Sequence, residues 1–329
     1  MENMQVKLDA KDRKILSELD MGARQPFSMI AKKVKLSREV VNYRIKQLEK
    51  RGIIEGYYTV IDITKLGMIY CRVFLKYRQI TKEKEKELMD YYRKSPPITW
   101  VALLQGRWDV GIIFTVKSIE EFEAAYDELL NNFGNYLQNP YISIAFKIYH
   151  FPNTYLYNTE ERKTVVLGQK SETLPKIDDV DKALLNIISN NANESLINLS
   201  KKLSSTPKII SYRLKRLVKE KVILAFRAKI NTALFGYDHH KVYLNLQKMS
   251  KTDTAKIISY LENQPNVIYI TKPMGTFNLE FEIMIKGSNK LFEFMKEFLY
   301  HFSDIVTNYE TILYYSEPML HYLSSLKQE

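Results

Sequence analysis

Residues 37–54 read SREVVNYRIKQLEKRGII, and residues 206–223 read TPKIISYRLKRLVKEKVI. Both stretches carry a Tyr-Arg-apolar-Lys core with the same apolar spacing. At about 100° per residue, Val41, Ile45 and Leu48 share one narrow helical face, as do Ile210, Leu214 and Leu217. Such a stripe has to meet a core. The opposite faces hold Glu39, Asn42, Tyr43, Lys46 and Lys50 in the first stretch and Lys208, Ser211, Tyr212, Lys215 and Lys219 in the second. Side chains of this kind reach both phosphates and base edges. Ser37 is placed as an N-cap, Gly52 as a C-cap glycine, and Pro207 in the first helical turn.

The match extends well beyond the two helices. Offset by 169 residues, positions 7–67 align with 176–236 without a gap, and fifteen pairs are identical. These include Asp9/Asp178, Asp12/Asp181, Lys32/Lys201, Lys33/Lys202, Tyr43/Tyr212, Arg44/Arg213, Lys46/Lys215 and Gly67/Gly236. The chain is therefore a tandem duplication. In each copy two shorter helical segments precede the basic helix, so the pattern is a helix-turn-helix with a leading helix.

The remainder of each half has a different rhythm. Residues 68–77, 98–104, 110–117 and 141–149 read as strands, and 82–94 and 118–132 as helices. The second half repeats the order at 240–248, 252–263, 266–272, 278–286, 288–302 and 307–315. This is the βαββαβ, ferredoxin-like arrangement. The fold class expected is α+β: two tandem repeats, each a helix-turn-helix (winged-helix-like) domain followed by a ferredoxin-like domain. The expected boundaries are 1–60 and 61–157 for the first pair, 158–175 for a polar linker with a short strand at 164–167, and 176–230 and 231–329 for the second pair.

Charge supports nucleic acid as the partner. The 329 residues carry a formal net charge of +11, with a pI near 9.3. Residues 1–60 contribute +5 and 176–230 contribute +7, leaving −1 for the rest. The excess thus sits in the two helical modules, the footprint of phosphate binding. One cysteine, Cys71, suggests a reducing compartment. There is no apolar run near the roughly 18 residues of a membrane span, and the polar N-terminus does not read as a signal peptide, so the expected location is the cytoplasm. The five histidines show no metal-ligand spacing, and neither a GxxxxGK[ST] nor a GxGxxG phosphate loop occurs. No cofactor and no catalytic residue is expected. His239 and His240 read as surface residues beside a strand.

Three segments, LDAKDRKILSEL (8–19), IAKKVKLSREVVNYRIKQLEKRGIIEGYYTVIDITKLG (30–67) and GRWD (106–109), resemble the leucine-responsive regulator/AsnC ("feast/famine") transcription factors. The second half resembles the same family more faintly, through YRLKRLVKEKVI and GTFN (275–278). The resemblance implies a sequence-specific regulator of transcription that binds double-stranded DNA, with AsnC-type domains that pair and respond to an amino acid or other small effector near the glycine turn. It also implies assembly into dimers or rings. Here the two halves are expected to pair within one chain as a pseudo-dimer, with a homo-oligomer of such chains as a further expectation. The second copy departs from the family pattern at Lys221, which replaces the glycine after the helix, and at Asn278, which replaces Asp109.

On this reading the base-edge candidates are Ser37, Arg38, Asn42 and Lys46, with Lys208, Ser211 and Lys215. Phosphate or positioning candidates are Lys32, Lys33, Tyr43, Arg44 and Lys50, with Lys201, Lys202, Tyr212 and Arg213. Arg44 has an alternative role in pairing with the acids of the first helix. Effector candidates are Gly106, Arg107, Trp108, Asp109, Gly275 and Asn278, Asp109 having the alternative of capping its own turn. Two other functions remain open. One is a sirohaem-decarboxylase-like enzyme, since that family uses fused tandem copies of this fold, although its His-Asn-Tyr-x-Arg cluster is missing here. The other is a non-specific architectural nucleic-acid-binding protein.

Overall fold

The computed structural model describes residues 7–157, 163–169, 174–247 and 250–323. Part of the expected linker, 158–162 and 170–173, therefore lies outside the described residues.

The first half contains α1 (Ala10–Gly22), α2 (Phe27–Val34), α3 (Arg38–Lys50), β1 (Ile54–Ile61), β2 (Ile69–Tyr77), α4 (Lys82–Lys94), β3 (Ile98–Gln105), β4 (Val110–Val116), α5 (Ile119–Phe133) and β5 (Leu137–His150). A short helix α6 (Thr154–Tyr157) and strand β6 (Val165–Leu167) come next. The second half contains α7 (Asp179–Ser189), α8 (Leu196–Lys202), α9 (Pro207–Lys219), β7 (Ile223–Ile230), β8 (Asp238–Leu246), α10 (Lys251–Glu262), β9 (Val267–Met274), β10 (Leu279–Ile285), α11 (Ser288–His301) and β11 (Val306–Leu320). The duplication is thus present element by element, and the βαββαβ order is as expected. Strands β1 and β7, not expected from the sequence, lie at the ends of the two helical modules.

Local chemistry fixes the helix starts. Asp9, Ser37, Asp178 and Thr206 each accept a hydrogen bond from the backbone N–H three residues on. The basic helix ends differently in the two copies. Gly52 adopts φ +66°, and Lys221 at the matching position adopts φ +58°. The second copy thus holds a left-handed conformation without the residue that tolerates it.

The halves are joined edge to edge rather than stacked sheet on sheet. Strand order runs β2-β4-β3-β11-β8-β10-β9-β5, and β5 also pairs with β2. Eight strands therefore close into a barrel, with β6 added outside β5. The seams between halves are β3–β11 and β5–β9. Strands β5 and β11 run 14 and 15 residues because each serves its own half and the other. Closure leaves no free sheet edge within the barrel.

Inward and outward residues alternate along each strand. On β2, Cys71, Val73 and Leu75 pack with α4 and α5, while Phe74 turns to an inner aromatic cluster with Trp108, Tyr141, Tyr243 and Phe277. On β10, Leu279, Phe281 and Ile283 pack outward with α10 and α11.

The helical modules are exchanged across the dyad. Strands β1 and β7 form an antiparallel ribbon. The first module packs on Ala228 and Phe235 of the second half, and the second module packs on Val60, Ile61 and Ile63 of the first. Within the ribbon Tyr58 pairs with Arg227, its own counterpart in the repeat. The pseudo-twofold axis therefore passes through that pair.

Candidate nucleic-acid interface and central cavity

The polar faces of α3 and α9 are free. Arg38, Tyr43, Lys46 and Lys50 are exposed and Asn42 is half-buried. Lys208, Tyr212 and Lys215 are likewise exposed and Ser211 half-buried. Tyr43 and Tyr212 are 63% and 66% exposed. Both rings are thus available to a partner. Ser37 caps α3 through its Oγ, accepting from Val40 N at 3.2 Å, so a base contact by this hydroxyl would have to share it. Lys32 and Lys201 are exposed on the preceding helices. Their neighbours Lys33 and Lys202 make exposed ion pairs with Glu18 (2.5 Å) and Glu194 (2.8 Å). Such pairs are weak enough to exchange for a phosphate. The side-chain bond from Lys202 holds the Glu194 carboxyl down at about 2.

Arg44 and Arg213 correct the sequence reading. Arg44 donates to Asp9 and Asp12, both at 2.7 Å. Arg213 donates to Asp178 (2.7 Å) and Asp181 (2.8 Å). Asp181 also receives Arg216. These arginines tie the basic helix to the leading helix, the alternative role left open for Arg44, and are not poised for phosphates.

The glycine turns lie at the barrel end away from the ribbon. Trp108 is fully buried in the aromatic cluster, so its expected effector role gives way to packing. Asp109 accepts from Lys76 Nζ at 2.6 Å and from Tyr77 N at 2.8 Å, so it ties the turn to the end of β2 instead of capping the turn's own backbone. Asn278 does the same for Leu246 N at 2.6 Å. Arg107 is exposed and pairs with Glu310 across the seam at 2.5 Å. Gly106 packs against Ile312 and Gly275 against Ser143 and Tyr141, each touching the other half's last strand. The turns are seam elements.

The opposite barrel end opens on a cavity of about 220 Å³ beneath the β1–β7 ribbon. Its walls include Tyr58, Tyr70, Trp100, His150, Arg227, His239, Lys241, Tyr269, Glu282 and Tyr314. Deeper in the barrel, Glu280 receives both terminal nitrogens of Arg72 (2.5 and 2.8 Å) and lies 3.0 Å from Lys241. Lys241 and His239 in turn engage Glu282 at 3.0 and 2.9 Å. Burial alone would raise the Glu280 carboxyl, but the charges of Arg72 and Lys241 outweigh it and hold the group below its ordinary value. His239 stacks on Tyr314 at 4.1 Å. It is a cavity-wall residue, not the surface residue that the sequence reading made it. His150 is held down to about 3 by burial and the neighbouring Arg227 charge, so it is neutral.

Arg227 is the cavity's link to the first helical module. Its Nε donates to Asp20 Oδ1 at 2.9 Å, and Nη2 donates to Asp20 and to Phe151 O. The same carboxylate accepts from Asn153 N (2.6 Å) and Tyr157 OH (3.1 Å). None of the charged wall residues was singled out as a site from sequence. The signal was present as differences between copies: Arg227 against Tyr58, and Glu280 and Glu282 against Gly111 and Ile113. Among the described residues, no group of three or more His, Cys, Asp or Glu side chains is placed to hold a metal ion, and no helix is long and apolar enough to cross a membrane.

Comparisons with known proteins agree with this geometry. Residues 8–49 match the AsnC-type helix-turn-helix domain. An uncharacterised HTH-type transcriptional regulator of Pyrococcus furiosus is 30% identical over 115 residues, which is 35% of this chain and 77% of that protein. The proline dehydrogenase transcriptional activator of Rhodobacter capsulatus is 30% identical over 125 residues, 38% of this chain and 81% of that one. Among solved structures, the siroheme decarboxylase NirDL superposes with a TM-score of 0.64 at 13% identity, covering 95% of this chain and 94% of that one. At that identity the likeness is one of fold.

Proposed function

The chain belongs to the Lrp/AsnC family of HTH-type transcriptional regulators, and on that premise we propose that it is a regulator that binds double-stranded DNA at two unlike half-sites. The observation that carries this reading is the pair of free, basic helix faces on α3 and α9, held on one barrel and differing in wording. Glu39 faces Lys208 across the alignment, Asn42 faces Ser211, and Gln47 faces Arg216. A homodimer presents one face twice and suits a palindrome. This chain presents two faces once each. Lys46, Arg38 and Asn42, with Lys215, Lys208 and Ser211, are the side chains assigned to base edges. Lys32, Lys50, Lys201, Tyr43 and Tyr212 are assigned to the backbone, with Lys33 and Lys202 recruited from their surface pairs. A small effector modulates binding.

Selection from random duplex DNA tests the reading. The expected product is a bipartite site with two different halves. A flat outcome supports the architectural alternative, and a strict palindrome refutes the two-reader reading.

The fold shared with NirDL over nearly the whole chain supports a second reading, removal of a carboxylate from a tetrapyrrole in the central cavity. The cavity's size counts against it, because about 220 Å³ is below even the ~300–1,000 Å³ of drug-sized ligand sites. Loss of carboxyl groups from an iron tetrapyrrole incubated with the purified protein decides the matter.

A further inference from the structure

The central cavity contains a buried cation with an unused donor edge. Arg227 is 3% exposed, and while Nε and Nη2 are engaged by Asp20 and Phe151 O, Nη1 has no partner among the described residues. The hydroxyl of Tyr70 and Nδ1 of His150 are also buried without partners, and both residues line the same cavity. Buried polar groups are ordinarily satisfied, and an unmet donor costs about 1–3 kcal/mol. Arg72 Nε and His321 Nδ1, on two further lining residues, add to these, and five such atoms around one cavity mark a place built for something to sit.

We propose that this cavity binds a small, flat aromatic carboxylate, with Arg227 Nη1 as the anchor of its carboxylate. The walls supply the aromatic half of the match. Tyr58 and Tyr322 stack at 5.9 Å with 6° between their planes, and His150 meets Tyr269 at 4.6 Å. The cavity's acids are already engaged, Glu282 by Lys241 and His239, and Glu317 by Trp100 Nε1 at 2.9 Å. They therefore leave the arginine edge as the site's dominant open feature. One free guanidinium edge beside a neutral histidine suits a single negative charge. A dianion would carry uncompensated charge into a buried site. A cavity of about 220 Å³ matches one ring with a short acid side chain.

This deepens the effector part of the regulator reading and rests on it for its consequence only. Asp20 belongs to α1 and Arg227 to β7. A ligand on Nη1 therefore reinforces the joint between the first DNA-reading module and the barrel without displacing Asp20.

The test uses the full chain and its own fluorescence. Of the two tryptophans, Trp100 lines the cavity and Trp108 lies in the core. Titration with phenylacetate is expected to give a saturable change, and the neutral isostere phenylacetamide to bind at least about tenfold more weakly. Arg227→Lys keeps a charge for Asp20 but removes the free edge, and is expected to weaken phenylacetate binding about tenfold. Ile148→Phe fills the cavity from its wall without touching either partner of the Arg227–Asp20 pair by substitution, and is expected to abolish binding while the melting temperature holds. No saturable response, equal binding of the amide, or unchanged binding by Ile148→Phe overturns the proposal. Duplex binding measured on the same preparation separates the two readings: intact DNA binding without phenylacetate binding refutes the cavity proposal alone, and the reverse refutes the regulator alone.

Discussion

Replacing Glu280 by Gln removes the acid on which the barrel's inner charges converge. Glu280 is completely buried, and the Arg72 side chain is 4% exposed. The two sit on different halves, on β10 and β2, so their bond crosses the duplication. Removing one partner of a buried pair costs about 3–5 kcal/mol, because the remaining charge is stranded. Here the stranded charge is Arg72, left with Ser143 Oγ at 2.8 Å, while Lys241 keeps Glu282 at 3.0 Å. For a chain of 329 residues the unfolding entropy is about 0.7 kcal/mol per kelvin, so the melting temperature should fall by roughly 4–7 °C. Scanning calorimetry and urea unfolding both read this. The pair Arg72→Met with Glu280→Leu should lose much less than the sum of its single changes, because neither charge is then stranded. A loss below about 1 kcal/mol in Glu280→Gln, or additive single changes, would refute the claim that this network ties the halves together.

Lys46→Ala should weaken duplex binding by about 1–3 kcal/mol if the side chain reads a base, with a shallower salt slope in gel-shift titrations; unchanged affinity and slope remove it from the interface. Arg44→Met should cost stability on the order of 1 kcal/mol through its lost bonds to Asp9 and Asp12, yet leave the salt slope of DNA binding unchanged. Lys221→Gly should raise stability by about 1 kcal/mol in urea unfolding, because the position holds φ +58°. His150, held down to about 3 by burial and by Arg227, is neutral when folded but titrates near 6.5 once unfolded. Its contribution is thus full above ~6.5 and lost at up to ~1.4 kcal/mol per unit as pH falls towards about 3. The carboxylates of Glu280 and Glu282, both held low when folded, add a further loss below ~4.3. Urea unfolding across pH should show His150→Leu flattening the upper part of that decline.

The duplication, the helix-turn-helix modules and the βαββαβ order were legible in sequence because each is written in local terms: period, caps and turns. The basic faces were legible for the same reason. Strands β1 and β7 were not, because neither has a partner in its own half: Ile54–Ile61 finds its ladder only in Ile223–Ile230. Arg44 and Arg213 lie at the edge of the core stripe, where a wheel cannot say whether a guanidinium turns to solvent or back to Asp12 and Asp181. The glycine turns drew attention through family pattern, but their function depends on where the other half's last strand passes. The cavity is legible only after folding, since Arg227, His150 and Tyr70 converge from three strands far apart in the chain.

Fusion also explains why the cavity takes the form it does. In a dimer of identical chains, whatever occupies the twofold axis occupies it twice. Two copies of Arg227 would face each other across the ribbon at the place where Arg227 now faces Tyr58, setting two buried cations side by side. The same logic holds inside the barrel. The repeat partner of Glu280 is Gly111, where an added Cβ would lie 2.9 Å from the Phe74 ring and 3.1 Å from Trp100. The first half therefore cannot accept the acid that the second half supplies, and a symmetric barrel would have to forgo either the acid or the rings. Joining the copies in one chain lets each dyad-related position take a different residue: one arginine, one tyrosine, one acidic strand and one strand cleared to make room for aromatic packing. The unequal helix faces on the outside and the one-sided cavity within are thus two products of the same release from symmetry. An asymmetric ligand and an asymmetric DNA site are the partners that the two proposals would give such a chain.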